Sequence, residues 1–194
     1  TASSLLGFDV RWIFGKGNYL STELTTSELE NTLESVDNLP FALYVTSPDY
    51  LGNTLDISSL SQVCRKYGIL LIVDNAHGAY LKFLPESAHP IDLGADICCD
   101  SAHKTLPVLT GGAYLHISKN APKEIYDNAE NAMTLFASTS PSYLILQSLD
   151  ATNTYICNGY REKLAEYIKI VDKLKENLIS AEYELVGTEP LKLT

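Results

Sequence analysis

Short, largely apolar segments alternate along this chain with segments that have the periodicity of amphipathic helices. The apolar segments FALYV, ILLIV, ADICC and AYLHI occupy residues 41–45, 69–73, 95–99 and 113–117. Strands that are apolar at nearly every position, rather than at every second one, are typical of parallel sheets that are buried on both faces. The pattern therefore predicts an α/β fold with three layers, in which helices cover both faces of a mostly parallel sheet.

Local signals predict where the first helices begin and end. Thr25–Glu28 has the form of a capping box, and the helix that follows is expected to include Val36. Asp56 is placed to cap a second helix, and Gly68 stands where a left-handed residue would end that helix. These helices would connect the first two parallel strands.

The two ends of the chain carry weaker patterns. Phe8–Phe14 is aromatic and β-branched, which predicts a strand, and strand-like patterning begins again within Glu182–Thr194. From Pro141 onward the chain has the pattern of long helices, with a break expected near Asn158–Gly159. Because the chain begins with Thr1 and stops as a new pattern begins, we expect it to be a fragment of a longer protein.

The charge and cysteine content exclude several classes of function. The 194 residues include 14 basic and 24 acidic side chains, a net charge of −10, which argues against nucleic-acid binding. No apolar run is long enough to cross a bilayer and no CxxC pair is present, so we expect a cytoplasmic protein without a membrane partner, a disulfide framework or a metal site. The cysteines, expected to be buried reduced thiols, are Cys64, Cys98, Cys99 and Cys157.

Polar side chains cluster where three of the predicted strands end, and ligands of open parallel sheets bind at that edge. These polar residues are Ser47, Tyr50, Asp74, His77, Asp100, Ser101, His103 and Lys104. Taken singly, Asp74 could cap a turn, His77 could be a structural histidine and Lys104 a solvated lysine. Taken together they suit an aldehyde cofactor, since a lysine amine forms a Schiff base and a carboxylate can keep a ring nitrogen protonated.

Several motifs resemble those of the ornithine/lysine/arginine decarboxylases, pyridoxal-phosphate (PLP) enzymes with the aspartate-aminotransferase fold (fold type I). The resemblance covers most of the chain, up to about residue 178. The matching segments are SPDYLG at 47–52, VDNAHGA at 73–79, LGADI at 93–97, SAHKTLP at 101–107 and STSPSY at 138–143.

The resemblance implies a role for each matching residue. Lys104 would form the Schiff base with PLP and later move protons, Asp74 would pair with the pyridinium nitrogen, and Ala76 would pack flat against the ring. His77 is the third residue with a catalytic role, beside the ring and the substrate. The remaining cofactor-binding residues, which would contact the phosphate, are Ser101, His103, Ser140 and Ser142.

The sequence also departs from the family pattern. Asn75 replaces a usual Glu and Asp49 replaces a usual Thr, and both changes are expected to be peripheral. The family's phosphate-binding loop and the residue that stacks on the ring precede the segment that matches this chain. We therefore predict that residues 1–150 are the latter part of the PLP-binding large domain, 151–180 a long connecting helix and 181–194 the start of a small domain.

The function that the resemblance implies is PLP-dependent decarboxylation of lysine, arginine or ornithine by a homodimer or a higher homo-oligomer. Two alternatives stay open at this stage. The scaffold could carry another PLP reaction, as in an aminotransferase or a lyase, or it could belong to a non-catalytic relative. The isolated chain is expected to self-associate and to be inactive, because part of the cofactor site and of the sheet would be missing.

Overall fold

The computed structural model describes residues 2–14, 23–136 and 140–194. The strands of this part of the chain are β1 (Ala42–Thr46), β2 (Leu70–Asp74), β3 (Ile97–Asp100) and β4 (Tyr114–Ile117). They form one sheet in the order β1-β2-β3-β4. The first three strands are parallel and β4 pairs antiparallel with β3. The predicted mostly parallel α/β sheet is confirmed.

Helices precede, connect and follow these strands. Their bounds are α1 Ala2–Leu6, α2 Thr26–Glu34, α3 Ile57–Tyr67, α4 Ala102–Thr105, α5 Lys123–Phe136, α6 Tyr143–Cys157 and α7 Tyr160–Ser180, with a 3₁₀ helix at Ala79–Phe83. Among the described residues, none of the helices combines the length and the apolarity needed to span a bilayer. Gly159, with φ of 81°, separates α6 from α7, which confirms the predicted break.

The predicted caps of α2 and α3 are formed. The Thr25 hydroxyl accepts a hydrogen bond from the Glu28 amide at 3.2 Å, and the Glu28 carboxylate accepts one from the Thr25 amide at 2.9 Å. The Asp56 carboxylate accepts a hydrogen bond from the Ser59 amide at 3.0 Å. Gly68 has φ of 68°, a left-handed conformation that only glycine adopts without steric cost, and it ends α3.

One face of the sheet, here called the core face, packs against α2 and α3. Side chains alternate between the two faces of a strand, so that the core face takes every second residue. The buried residues of this core are Leu29, Leu33, Leu43, Val45, Leu60, Cys64, Leu71 and Val73. Burial of each large aliphatic side chain contributes about 1.5–3 kcal/mol, which makes this packing the main support of the strand ends. A second core joins the 3₁₀ helix to α7 through Tyr80 and Leu164.

The opposite face of the sheet, here called the open face, carries Tyr44, Ile72, Asp74, Cys99 and Leu115. The paired strand residues place these side chains on one side, since Asp74 pairs with Cys99 and Cys99 pairs with Leu115. Tyr44 is 62% exposed and Leu115 is 42% exposed. The described chain therefore buries its core face well and leaves polar and apolar groups accessible on the open face.

Three local predictions were wrong. Phe8–Phe14 forms no strand, because none of its residues pairs with a neighbouring strand in the described chain, and Phe8 instead packs edge-on against Phe41. Val36 lies beyond the end of α2. Glu182–Thr194 forms turns rather than a strand, and it is held by hydrogen bonds to the carbonyl of Gly52.

Candidate active site

The carboxyl ends of the three parallel strands lie at one edge of the sheet, as predicted. Asp74 is the last residue of β2. Ser101 follows β3 and precedes the short helix α4, which carries His103 and Lys104. The parallel register of β2 and β3 therefore brings the carboxylate and the amine to the same edge, although 30 residues separate them in sequence.

Asp74 is held by two hydrogen bonds on the open face. Its Oδ2 accepts from the hydroxyl of Tyr44 at 3.1 Å, and its Oδ1 accepts from the amide of Ala76 at 3.0 Å. Burial, followed by the charge of Asp74 and the hydrogen bond to it, raises the pKa of Tyr44 to about 12. Tyr44 therefore remains a hydrogen-bond donor at neutral pH and orients the Asp74 carboxylate.

Lys104 and His77 meet at the same edge. The Lys104 Nζ lies 3.2 Å from the His77 Nε2. Burial of the ring, and then the positive charges of Lys104 and Lys192, lower the pKa of His77 below 6.5. A neutral imidazole can accept the hydrogen bond that the Lys104 ammonium donates.

The C-terminal segment also reaches this site, which the sequence analysis missed. The Lys192 ammonium lies 4.9 Å from the centre of the Tyr50 ring and donates a hydrogen bond to the Tyr50 carbonyl. The Tyr50 ring in turn contacts the His77 ring edge-on, with 5.8 Å between the ring centres. No local motif marks Lys192, because its proximity depends on a contact across more than 140 residues.

His103 is fixed by the backbone. Its Nδ1 lies 2.9 Å from the carbonyl oxygen of Gly112, which can only accept, so Nδ1 carries a proton and the other ring nitrogen is left for a ligand. A Cβ atom on Gly112 would lie 2.3 Å from the Val108 side chain, which explains the glycine at this turn. The Lys104 amide donates to the Ser101 carbonyl at 2.9 Å, so these three site residues share one compact turn.

Ser140 and Ser142 lie at exposed positions just before α6, and Ser142 occupies the N-cap position of this helix without a capping hydrogen bond from its side chain. Their role in phosphate binding stays a prediction. Ser138 and Thr139 of the same motif lie outside the described residues.

Three details of the sequence analysis need correction. Asp100 does not join Asp74, because successive strand residues point to opposite faces and Asp100 lies on the core face. Asn75 is not peripheral to the fold: it is 0% exposed and donates to the Asp100 Oδ1 at 2.7 Å. Asp49 likewise organises its turn by accepting hydrogen bonds from the amides of Leu51 and Asn53.

The four cysteines are free thiols, as predicted, but only two of them are buried. Cys64 and Cys98 lie in the core, whereas Cys99 and Cys157 are exposed. Strand alternation explains the difference within the Cys98–Cys99 pair, because Cys98 faces the core and Cys99 lies on the open face, 4.0 Å from Asp74.

The family model of the Orn/Lys/Arg decarboxylase major domain matches residues 16–190. The chain belongs to this family. A *Bacillus subtilis* protein of uncharacterized function, YaaO, is 33% identical over 186 residues, which is 91% of this chain and 38% of YaaO. An arginine decarboxylase of the same organism is 30% identical over 169 residues, which is 84% of this chain and 34% of that enzyme. The chain thus spans little more than a third of the length of these relatives.

Solved structures share the fold of this decarboxylase-family chain. An alanine–glyoxylate aminotransferase from *Nostoc* sp. superposes with a TM-score of 0.73 at 18% identity, covering 96% of this chain and 52% of that enzyme. A 4-hydroxyphenylacetaldehyde synthase from *Rhodiola rosea* gives 0.72 at 21% identity, covering 96% of this chain and 42% of that one. These similarities confirm the aminotransferase fold, and the different reactions in their names show that the fold alone does not select the chemistry.

Proposed function

We propose that the whole protein to which this chain belongs is a PLP-dependent decarboxylase of a basic amino acid: lysine, arginine or ornithine. The observation that carries the proposal is the contact between the Lys104 amine and a neutral His77 ring, 3.2 Å apart, within the motifs of the decarboxylase family. The alternative reactions, transamination and lyase chemistry, would use the same amine. Their products distinguish them from decarboxylation.

The residues of the site fit PLP, which would supply an aldehyde that captures an amino group and a ring that accepts the electrons left by carbon dioxide. The Asp74 carboxylate is oriented by Tyr44 and is suited to hold a protonated ring nitrogen. Ala76 is half-buried and small, so that a flat ring can approach the backbone there. Ser101 offers a hydroxyl to a phosphate, and the doubly protonated ring of His103 would offer the N–H of Nε2.

His77 and Lys104 would divide the proton transfers. A lysine amine attacks a carbonyl carbon only when it is neutral, so the ammonium must first give up a proton. The lowered pKa of His77 reflects burial and neighbouring cations, and it keeps the ring neutral, so that Nε2 can accept a hydrogen bond from the Lys104 ammonium. In this proposal Lys104 would also hold or release a proton at its Nζ, which lies 3.2 Å from the His77 Nε2.

The charges around His77 suit a zwitterionic amino acid. Lys104 and Lys192 lower the pKa of His77, whereas the nearby carboxylates of Asp74 and Asp49 raise it, so both signs of charge face the ring. The net charge of −10 gives mild further support for a cationic substrate, because a negative field attracts it. We assign the protein to the cytoplasm as a homodimer or higher homo-oligomer, in which Ser140 and Ser142 would serve the phosphate site of the partner subunit.

Product analysis of the full-length protein tests this proposal. We expect PLP with lysine, arginine or ornithine to yield carbon dioxide and the corresponding amine, and borohydride reduction to leave a pyridoxyl group on Lys104. Lys104→Ala should lower the rate at least about 1000-fold, since it removes the group that binds the cofactor.

Lys82→Ala is the matched control, because Lys82 is paired with Asp92 at 2.7 Å and takes no part in the site. It should retain the wild-type rate. A pyridoxyl group on Lys82 or Lys119 would contradict the assignment of Lys104, and formation of a keto acid in place of the amine would identify an aminotransferase.

A further inference from the structure

A second polar cluster lies on the core face of the sheet, outside the candidate active site. The Nε2 atoms of His89 and His116 each lie 3.0 Å from the same oxygen, the Oδ2 of Asp100. One ligand atom from each of these three residues lies within 4.8 Å of the others. Two imidazoles and one carboxylate, converging on one point, form a donor set that binds zinc and similar divalent ions in proteins.

The sheet holds this cluster in place. In the antiparallel pair of β3 and β4, Cys98 is opposite His116 and Asp100 is opposite Tyr114, so Asp100 and His116 are diagonal neighbours on the core face. His89 comes from the segment between the 3₁₀ helix and β3, and its ring meets the His116 ring edge-on with 5.1 Å between centres. Two of the three ligands are thus on paired strands, where little movement is available.

Two of the three residues are buried and the third is accessible to solvent, which suits a site that an ion must reach. The side chains of His89 and Asp100 are only 3% and 4% exposed, whereas the side chain of His116 is 38% exposed and provides a path from solvent. All three line a cavity of about 440 Å³, which leaves room for water molecules as further ligands. Lys82 also lines this cavity, but Asp92 pairs with its ammonium at 2.7 Å.

A neighbouring side chain fixes the carboxylate. The amide of the fully buried Asn75 donates to the Asp100 Oδ1 at 2.7 Å, and this leaves Oδ2 directed at the two imidazoles. Hydrogen bonds of this kind orient the ligands of protein metal sites. Cys98 adds a thiol 3.5 Å from the same Oδ1.

We propose that His89, Asp100 and His116 form a binding site for a divalent transition-metal ion, with zinc as the preferred occupant. Ligand atoms of a tetrahedral zinc site lie about 3.3 Å apart, given bonds of about 2.0–2.1 Å. The two 3.0 Å distances from Nε2 to Oδ2 therefore need to widen by a few tenths of an ångström, and the two Nε2 atoms already lie within 4.8 Å of one another. Zinc replaces the proton on each Nε2. The displaced proton of each neutral ring then moves to the Nδ1 of the same ring, and at His89 this nitrogen gives up the long 3.3 Å hydrogen bond from the Ile91 amide.

In this assignment the ion has a structural role. It would join the segment that carries His89 to β3 and β4, the strands that bear Asp100 and His116. This region lies directly behind the open face, because Asp100 follows Cys99 in the same strand. Zinc would therefore stabilise the end of β3 on which Ser101 and the Lys104 turn depend.

Zinc titration of the full-length protein, stripped of metal by a chelator, tests the site. We expect one Zn²⁺ per chain, bound at micromolar concentration or tighter, with an increase in the melting temperature on zinc addition. His116→Gln should weaken zinc binding at least about 100-fold, since one of the three protein ligands is lost. Co²⁺ in place of zinc should give the visible absorption of a tetrahedral complex.

His77→Gln is the control for zinc binding, because His77 is another half-buried imidazole but contacts Lys104 and Tyr50 rather than the Asp100 cluster. It should leave the zinc affinity unchanged, and circular dichroism should show that both variants are folded. Wild-type protein that takes up no zinc at micromolar concentration overturns the proposal whatever the variants do. A loss of binding in His77→Gln rather than in His116→Gln overturns it as well.

Discussion

The last two residues of β3 belong to two different polar environments. Cys99 lies on the open face beside Asp74, in the site that contains Tyr44 and Lys104. Asp100 lies on the core face, where His89, His116 and Asn75 all donate to its carboxylate. Burial raises the pKa of Asp100, but the hydrogen bonds from the two histidines outweigh it and hold the pKa below its ordinary range.

The two environments differ in how many of their polar groups find hydrogen-bond partners within this chain. Asp100 is almost inaccessible and receives hydrogen bonds from the side chains of His89, His116, Asn75 and Cys98. Lys104, by contrast, is exposed, and its ammonium lies 3.2 Å from the His77 Nε2. The buried cluster has the character of a structural element, whereas the groups on the open face are accessible to a substrate and a cofactor.

The largest effect on the open face that does not remove the cofactor lysine is expected for Asp74→Asn. This substitution should lower kcat of the full-length protein about 100- to 1000-fold while the fold and cofactor binding persist, because the carboxylate that would keep the PLP ring nitrogen protonated is lost. Steady-state decarboxylation measures it. Asp150→Asn, an exposed site on α6, is the control, and near-normal turnover in Asp74→Asn would show that Asp74 is only a turn residue.

On the core face, we expect substitutions to change the free energy of unfolding more than the turnover. Asp100→Ala is expected to lower the free energy of unfolding by about 2–4 kcal/mol with a chelator present, because two imidazoles and one amide lose their buried partner. Urea denaturation measures the change. Asp92→Ala removes a partly exposed carboxylate paired with Lys82 and should cost less than about 1 kcal/mol. Equal losses in the two variants would contradict the distinction between the clusters.

The pH titration of His77 tests its contact with Lys104. Its NMR midpoint should lie below 6.5, the ordinary pKa of histidine, because burial and then the charge of Lys104 disfavour the protonated ring. Lys104→Met should move the midpoint part of the way back up, while Lys82→Met leaves it unchanged. Because the pKa of His77 is lower in the folded state, the unfolded chain binds this proton more readily. The free energy of unfolding should therefore decrease as the pH falls from 6.5 through the folded-state pKa of His77. An unshifted midpoint would contradict the arrangement.

The smallest effect is expected for Tyr44→Phe. Tyr44 donates one hydrogen bond to Asp74, and its loss should lower kcat about twofold to tenfold without changing the fold. Tyr126→Phe, at an exposed position on α5, is the control for removal of a tyrosine hydroxyl. A drop as large as that of Asp74→Asn would mean that Tyr44 acts on the substrate directly rather than through Asp74.

The parts of the fold that could be predicted from sequence are those with a local cause. The capping hydroxyl of Thr25 and the left-handed Gly68 specify helix ends through their immediate neighbours, and both predictions were correct. Phe8–Phe14 has the composition of a strand, but a strand also needs a partner, and composition does not supply one. The strand expected within Glu182–Thr194 was wrong for the same reason.

In the site, motifs identified the residues but not their contacts. The separation of Asp100 from Asp74 could have been derived from strand alternation, since Cys99 and Asp100 must face opposite sides. The approach of Lys192 to Tyr50 could not, because it joins segments that only the tertiary fold brings together. The roles of Ser140 and Ser142 stay predictions.

Strand alternation at the end of β3 also limits how this sequence can change length. Deletion of one residue within β3 would rotate the following side chains by one position, which would bring Asp100 toward the open face and a thiol or a serine toward the two histidines. Both polar environments would then be lost through one event. Residues 85–86, which are exposed and precede both His89 and β3, can accept an insertion without this exchange. Length variation among related proteins is therefore expected before β3, and residues 97–104 are expected to keep a constant length.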